Sequence, residues 1–101
     1  MNEIVFTWDE KKNTSNIIKH KISFDEAQSA FFDDMGLLFS DEEYSIIEER
    51  FILLGKNEKL KILVVCHCYQ EDDSHIRIFS ARKATKKENK YYWEKNYEKR
   101  I

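Results

Sequence analysis

The fold is decided by one stretch past the middle of the chain, residues 61–80, which reads KILVVCHCYQEDDSHIRIFS. Its first part, Lys61 to Tyr69, is rich in Ile, Val and Leu, which is typical of a central strand. Gln70 to Ser74 forms an acidic turn, and from His75 to Ser80 apolar and polar residues alternate, as in a strand with one buried face. The stretch therefore predicts two antiparallel strands joined by a hairpin.

Shorter apolar runs ahead of this hairpin predict further strands, and capping boxes predict the helices. The strands are expected at Ile4–Phe6, Leu37–Phe39 and Arg50–Leu54. In a capping box, a Ser or Thr and a Glu three residues later satisfy each other's free backbone N–H groups at a helix start. Such pairs are Thr7 with Glu10, Ser23 with Glu26, and Thr85 with Glu88.

These boxes predict three helices with apolar faces. The first should run from about Trp8 to His20, the second should follow Ser23, and the third should run from Thr85 towards Arg100. Burial is expected in the second helix for Phe24, Ala27, Ala30 and Phe31. In the third helix, Trp93 is the aromatic residue that we expect in the core.

The order of the elements predicts an α+β fold, with an antiparallel sheet, two N-terminal helices and one C-terminal helix, all on one face of the sheet. No linker divides the chain, so residues 1–101 are expected to form a single domain. No apolar run approaches the roughly 18 residues of a membrane span, and the N-terminus lacks the layout of a signal peptide. Cys66 and Cys68 are too close for an unstrained disulfide. We therefore expect a cytoplasmic protein without membrane contact.

The charges are distributed unevenly along the chain. The formal net charge is −2. Residues 25–73 nevertheless carry four Lys or Arg against thirteen Asp or Glu, and residues 74–101 carry nine against three. A basic segment of this kind favours nucleic acid as a partner, through a local surface rather than through the total charge.

Three blocks of residues resemble the BrnT family of ribonuclease toxins, and together they span Phe6 to Tyr92. The first block contains Phe6-Thr7-Trp8-Asp9, Lys12, Asn16, Lys19-His20 and Ser23-Phe24-Asp25-Glu26-Ala27. The second is Glu49-Arg50-Phe51-Ile52-Leu53-Leu54-Gly55. The third, which is the most specific, is Ile76-Arg77-Ile78-Phe79-Ser80-Ala81-Arg82-Lys83-Ala84-Thr85, followed by Glu88 and Tyr92.

The resemblance implies a RelE-like fold and the toxin part of a type II toxin–antitoxin system. It implies cleavage of an RNA substrate without metal or other cofactor. It also implies a BrnA-like antitoxin as partner, a heterotetramer held together by that antitoxin, and contact with DNA only through the antitoxin. The chain departs from the family at two places, with Lys21 where a glycine is usual and Asp34 where a proline is usual. A non-catalytic RNA- or protein-binding domain of the same fold is the alternative.

Candidate catalytic residues follow from what metal-free RNA cleavage needs. A base activates the 2′-OH, an acid protonates the departing oxygen, and positive charge holds the phosphate. For the phosphate we expect Arg50, Arg77 and Arg82, since a guanidinium pairs with two phosphate oxygens at once. Glu49 is the candidate carboxylate, either as general base or as a group that orients an Arg, and it could instead be a solvated acid at a strand end. His20 is a candidate for proton transfer. Each Arg could instead pair with an acid of the middle segment, and His20 could simply favour the helix end.

A second group of residues is expected to contact RNA without reacting. These residues are Lys12, Lys19, Ser80, Lys83, Lys86, Lys87 and Tyr92. Lys12, Asn16 and Lys19 share one helix face, which suits either a phosphate backbone or solvent. Tyr92 belongs to an aromatic run beside lysines, a combination typical of base stacking.

A metal site is not expected around the cysteines. Cys66 and Cys68 should lie on one face of their strand and His67 on the other. A zinc site usually needs a second, spaced pair of ligands, which the sequence does not offer. The cysteines are therefore interpreted as core residues.

Overall fold

The computed structural model describes residues 3–44 and 48–99. Its strands are β1 (Val5–Thr7), β2 (Leu37–Ser40), β3 (Phe51–Lys56), β4 (Ile62–Gln70) and β5 (His75–Lys83). Its helices are α1 (Glu10–His20), α2 (Phe24–Gln28) and α3 (Lys86–Lys99), with 3₁₀ turns at Ser29–Phe32 and Glu42–Tyr44. The predicted α+β class is thereby confirmed. None of the helices in this part of the chain has the length and apolarity to cross a membrane.

The five strands form one mixed sheet in the order β1-β5-β4-β3-β2. Strands β2 to β5 pair antiparallel with their neighbours, and β4 is central, as predicted. The prediction of a wholly antiparallel sheet is wrong for β1, which pairs parallel with β5. About two thirds of the chain separates β1 from β5, so no hairpin dictates its direction. The relation to the RelE-type fold stays a prediction.

One face of the sheet, called here the front face, packs against α1, α2 and the turn that follows them. Its core contains Ile22, Phe24, Ala27 and Ala30 from the helical side and Leu53, Leu63, Val65, Ile76, Ile78 and Ala81 from the strands. The predicted buried positions of the second helix are confirmed, with Phe31 partly buried at the margin. Gly55 allows this close approach, because a Cβ there would lie 2.8 Å from the carbonyl oxygen of Ala30.

Helix α3 packs against the opposite face, called here the back face, so the expectation of all helices on one face is wrong. Tyr92 is fully buried in a second cluster with Leu37, Leu54 and Ile62. Trp93, which we expected in the core, is 49% exposed. Helix α3 therefore packs Tyr92 against the sheet, and not Trp93, which is the next residue along the helix.

The third predicted helix, α3, is joined to the sheet through the Asp33 carboxylate in the loop before β2. The Tyr92 hydroxyl donates to Asp33 Oδ2 at 2.6 Å, and the backbone N–H groups of Lys56 and Met35 donate to the same carboxylate. Burial alone would raise the pKa of Asp33, but these hydrogen bonds lower it overall. The chain thus holds its Asp33–Asp34 loop by hydrogen bonds to the Asp33 carboxylate.

Of the three predicted capping boxes, the one at Thr85 is confirmed in full, and the one at Ser23 is confirmed for the bond to the serine side chain. Ser23 accepts from the backbone N–H of Glu26, and Thr85 and Glu88 accept reciprocally from each other's backbone N–H. The first box is wrong, because Thr7 belongs to β1 and the cap of α1 is Asp9, which accepts from the backbone N–H of Lys11. A strand that ends only three residues before the helix leaves no room for a cap at Thr7.

Beyond Arg77, no strand among the described residues pairs with β5 on its β1 side, because β1 covers only the first three residues of β5. The Asn16 side chain of α1 takes that place at Ala81. Ala81 N–H donates to Asn16 Oδ1 at 3.1 Å, and Asn16 Nδ2 donates to the Ala81 carbonyl at 2.7 Å and to the Ile22 carbonyl at 2.8 Å. The amide thus satisfies both backbone groups of Ala81 and fixes α1 against the sheet.

Substitution of Asn16 by Ala should destabilise the fold by about 2–3 kcal/mol, because buried backbone groups lose their partners. Urea unfolding followed by circular dichroism measures this loss. Thr14→Ala is the matched control on the same helix, since the Thr14 hydroxyl bonds only the Glu10 carbonyl at an exposed position. An Asn16→Ala protein as stable as Thr14→Ala would contradict the structural role of the amide.

Substitution of Lys21 by Gly should stabilise the chain by about 1 kcal/mol. Lys21 ends α1 in the left-handed conformation, with φ of 60°, which is costly for a residue with a Cβ and free of strain for glycine. Chemical denaturation would measure the gain. The control is Lys19→Gly in the last turn of α1, which should lose about 1 kcal/mol. Equal losses of stability in Lys21→Gly and Lys19→Gly would contradict the role of the left-handed conformation at Lys21.

Candidate functional site

Two of the predicted arginines share one end of the back face, beyond the residues that Tyr92 contacts. Arg50 lies 3.5 Å from Glu48, and Arg77 is the register partner of Cys68 on β4. Burial and the Glu48 carboxylate raise the pKa of the Cys68 thiol, while the charges of Arg50 and Arg77 oppose that rise. Both guanidinium groups are therefore close to Cys68. The Arg77 side chain makes no hydrogen bond or ion pair with the residues that the structure describes, so its charge is available to a ligand.

The two thiols of this cluster are held by acids. The Cys66 thiol donates to Asp41 at 3.7 Å and the Cys68 thiol to Glu48 at 3.8 Å. Burial, followed by the nearby Asp41 charge, raises the pKa of Cys66. Both thiols are thus kept protonated, which makes them poor nucleophiles.

A groove of about 350 Å³ runs between α1 and β5. The residues that line it are Lys11, Lys12, Ser15, Asn16, Lys19, His20, Phe79 and Ser80. Four predicted site residues, Lys12, Lys19, His20 and Ser80, are thus brought together, although α1 and β5 are far apart in sequence. Cationic and hydroxyl side chains predominate, and the described lining contains no carboxylate, so the groove suits a polyanion.

Phe79 joins the groove to the arginines. Cys66 pairs with Ser80 and His67 with Ile78, so Phe79 is the extra residue of a β-bulge and has no partner on β4. The Arg50 guanidinium lies 4.0 Å from the centre of the Phe79 ring, and the Lys12 ammonium lies 5.1 Å from it. Sequence reasoning did not select Phe79. Its only sign in the strand pattern was that Phe79 is aromatic at a position where the alternation of His75–Ser80 predicts a polar residue.

Arg82 lies within β5, not after it as we expected, and it forms a two-pronged ion pair with Glu88 at the start of α3. The two N–O distances are 2.8 and 2.9 Å. The hydrogen bond from Arg82 is the main cause that lowers the pKa of Glu88 from 4.5 to about 2. Arg82 remains 40% exposed. The acid that it pairs with comes from the C-terminal helix, not from the acidic middle segment.

The remaining predicted residues lie at the surface, with one exception. Glu49 is exposed and makes no hydrogen bond or ion pair with the described residues, whereas its neighbour Glu48 contacts Arg50. Alternate residues of an extended segment point to opposite sides, and Glu48 shares the side of Arg50. Lys83, Lys86 and Lys87 are exposed around the junction of β5 with α3.

The exception is Tyr92, whose predicted contact with RNA is wrong. Its side chain is 0% exposed, and burial together with the Asp33 hydrogen bond raises its pKa far above the usual range. The residue therefore holds α3 to the sheet and has no surface on which a base could stack.

His67 is a core residue on the opposite side of β4 from the cysteines, as predicted. It is 0% exposed, and its ring nitrogens lie 3.1 Å from the Val65 carbonyl and 3.4 Å from the Tyr69 hydroxyl. Burial lowers its pKa, so the imidazole is neutral around pH 7. Within residues 3–44 and 48–99, no three His, Cys, Asp or Glu side chains are placed to hold a metal ion.

These groups can together bind a phosphodiester and move protons. Arg77 and Arg82 offer guanidinium groups on β5, and the groove adds lysines along α1. His20 adds an imidazole to the groove lining, and Glu48 offers a carboxylate beside Arg50.

Comparisons with known proteins agree with this chemistry. A family model described as ribonuclease toxin, BrnT, of type II toxin–antitoxin system matches residues 8–88. Among solved structures, the chain is similar to the Brucella abortus ribonuclease toxin BrnT, with a TM-score of 0.59 and 22% identity over 85% of this chain and 100% of that chain. At that identity the likeness shows a shared fold. No curated protein matches the chain.

Substitution of Glu88 by Gln should reduce stability at about pH 7 but much less near pH 2. The folded-state pKa of Glu88 is depressed, so its ion pair stabilises the fold above pH 4.5, and this stability is lost as the pH falls towards about 2. Thermal midpoints of both proteins across this window measure the difference. Glu94→Gln, which removes an exposed pair with Lys90 at 3.8 Å, is the control. A difference that does not change with pH would contradict the pairing.

Proposed function

This chain belongs to the BrnT family of ribonuclease toxins of type II toxin–antitoxin systems, and on that premise we propose that it is itself an endoribonuclease that cuts cellular RNA without a metal and arrests growth. One observation carries the proposal. Around β5, the lysines that line the groove of α1 and the Arg50 guanidinium meet at the Phe79 ring, whose centre lies 5.1 Å from the Lys12 ammonium and 4.0 Å from the Arg50 guanidinium, and they form a cationic surface. Such a surface follows a phosphate backbone, and its arginines supply the positive charge that a metal supplies in other nucleases.

In the proposed reaction the 2′-OH attacks the adjacent phosphorus and the 5′ oxygen departs. Arg77 and Arg82 stabilise the charge that develops on the phosphate oxygens. Arg50 adds to the positive charge around the phosphate and forms an ion pair with Glu48. We propose Glu48 as a carboxylate of the site, beside the earlier candidate Glu49. His20, which lines the groove, is the proposed proton-transfer group on the other side.

The remaining lysines are proposed to bind RNA outside the reacting phosphate. Lys12, Lys19 and Ser80 lie in the groove, and Lys83, Lys86 and Lys87 surround the start of α3. A strand of RNA could therefore run along α1 and pass the junction of β5 with α3. The contacts are with the backbone and are consequently sensitive to salt.

Family membership also supports an antitoxin partner. We propose a BrnA-like protein that neutralises the toxin in a heterotetramer and provides the only contact with DNA. The proposed place of action is the cytoplasm, where cellular RNA is found.

The proposal is tested by incubating the purified chain with total RNA in the presence of EDTA. The wild-type protein should give fragments, and Arg77→Ala should cut at least about 100-fold more slowly, because one stabilising cation is lost in the transition state. Arg82→Ala should lose activity as strongly, and its expression should no longer arrest growth.

The control for Arg82 is Glu88→Gln, which breaks the same ion pair but keeps the guanidinium. Cleavage by Glu88→Gln together with inactivity of a folded Arg82→Ala protein would assign the effect to the cation. A folded Arg82→Ala protein that cuts at the wild-type rate would contradict the assignment. Intact RNA with the wild type, with and without translating ribosomes, would contradict the enzyme and favour the non-catalytic binding domain.

A further inference from the structure

The bulge of β5 places an aromatic ring inside a cationic groove. Phe79 has no partner on β4, and its ring forms part of the groove lining, next to Lys12 and Ser80. The neighbouring apolar residues of β5, Ile76 and Ile78, are buried in the front-face core, but Phe79 is only partly buried. The ring therefore does not serve the core in the way that its neighbours do.

We propose that Phe79 is a stacking platform for one nucleobase of the bound RNA, flanked by groove cations that hold the phosphates on either side. Every base has a flat π-face, so an aromatic ring that is partly accessible beside cations can bind single-stranded RNA with little sequence preference. This subsite rests on the proposed function and deepens it, because it fixes where a base sits relative to the arginines that act on phosphate.

The position of the ring is set by its two cationic neighbours. The Arg50 guanidinium lies 4.0 Å from the ring centre, which is van der Waals contact and restricts rotation of the phenyl group. The Lys12 ammonium lies 5.1 Å away on a side chain that is exposed. An incoming base displaces this mobile ammonium, which then becomes available to the adjacent phosphate. Arg50 and Lys12 thus orient the ring and bind the backbone around it.

A base stacked on Phe79 would lie beside Arg50, which belongs to the arginine cluster. Arg50 contacts Phe79 on one side and the Glu48 carboxylate on the other. A base on Phe79 is therefore next to the arginine cluster, within the reach of one nucleotide. The stacking step would order the RNA so that the neighbouring phosphodiester faces Arg77.

The test is a double-mutant cycle that combines substitutions of Phe79 with the removal of single bases from an RNA probe. The probe is a fluorescein-labelled 2′-O-methyl hexanucleotide, which cannot be cleaved because it has no free 2′-OH, and binding is followed by fluorescence anisotropy. Phe79→Leu should bind about tenfold more weakly than the wild type, and Phe79→Trp at least as tightly as the wild type. Probes with one abasic nucleotide at each position in turn identify the stacked base.

One abasic position should weaken binding to the wild type about tenfold and leave binding to Phe79→Leu unchanged, because the stacking contact is already absent. A purely structural role of Phe79 would not give this coupling. Phe32→Leu is the matched control, since Phe32 is 63% exposed on another part of the surface and should not affect affinity. Thermal melts verify that each variant is folded.

The outcomes separate this inference from the proposed function. Coupling in a wild-type protein that fails to cut RNA would support the stacking site and contradict the ribonuclease. Two results would overturn the stacking site alone if the wild type cuts RNA. In the first, Phe79→Leu binds the probe as tightly as the wild type. In the second, an abasic position weakens binding to Phe79→Leu as much as it weakens binding to the wild type. A wild-type protein that does not bind the probe would also overturn the stacking site.

Discussion

The pairing of the Asn16 amide with Ala81 is the interaction on which the site depends. A strand edge with free backbone groups must be covered or paired, and β1 is too short to pair with the second half of β5. One side-chain amide replaces a strand there, with bonds to both backbone groups of Ala81. Because Asn16 is in the middle of α1, the same bonds set the distance between helix and strand and thereby form the groove.

The bulge at Phe79 is the second constraint, and it follows from the first. Where the strand is not paired by β1, β5 can accept an extra residue and turn a side chain towards α1. Phe79 then contacts cations of two distant segments, Lys12 of α1 and Arg50 before β3. Cations of α1 and of the segment before β3 are thereby brought to the same ring on β5.

The C-terminal helix contributes to this surface mainly by being held in place. Tyr92 and Asp33 join it to the sheet in a buried cluster, and Arg82 and Glu88 join its first turn to β5 at the surface. The ion pair with Glu88 restricts the Arg82 guanidinium, which remains accessible. Arg82 therefore both joins β5 to α3 and can offer positive charge to a ligand. Stability and the proposed binding of RNA therefore depend on the same Arg82 side chain, and a conservative change of its partner is needed to separate them.

The sequence by itself determined the elements whose signals are local. Alternation in His75–Ser80, the apolar run before it and the capping boxes at Ser23 and Thr85 depend on neighbouring residues, so the hairpin and the starts of α2 and α3 could be predicted. The family blocks selected most of the cationic residues of the site. Only the tertiary structure decided that β1 lies parallel to β5, that Tyr92 rather than Trp93 is buried, that Glu48 rather than Glu49 meets Arg50, and that Phe79 enters the groove. Each of these depends on contacts between segments far apart in the chain, and local periodicity carries no information about which distant segments meet.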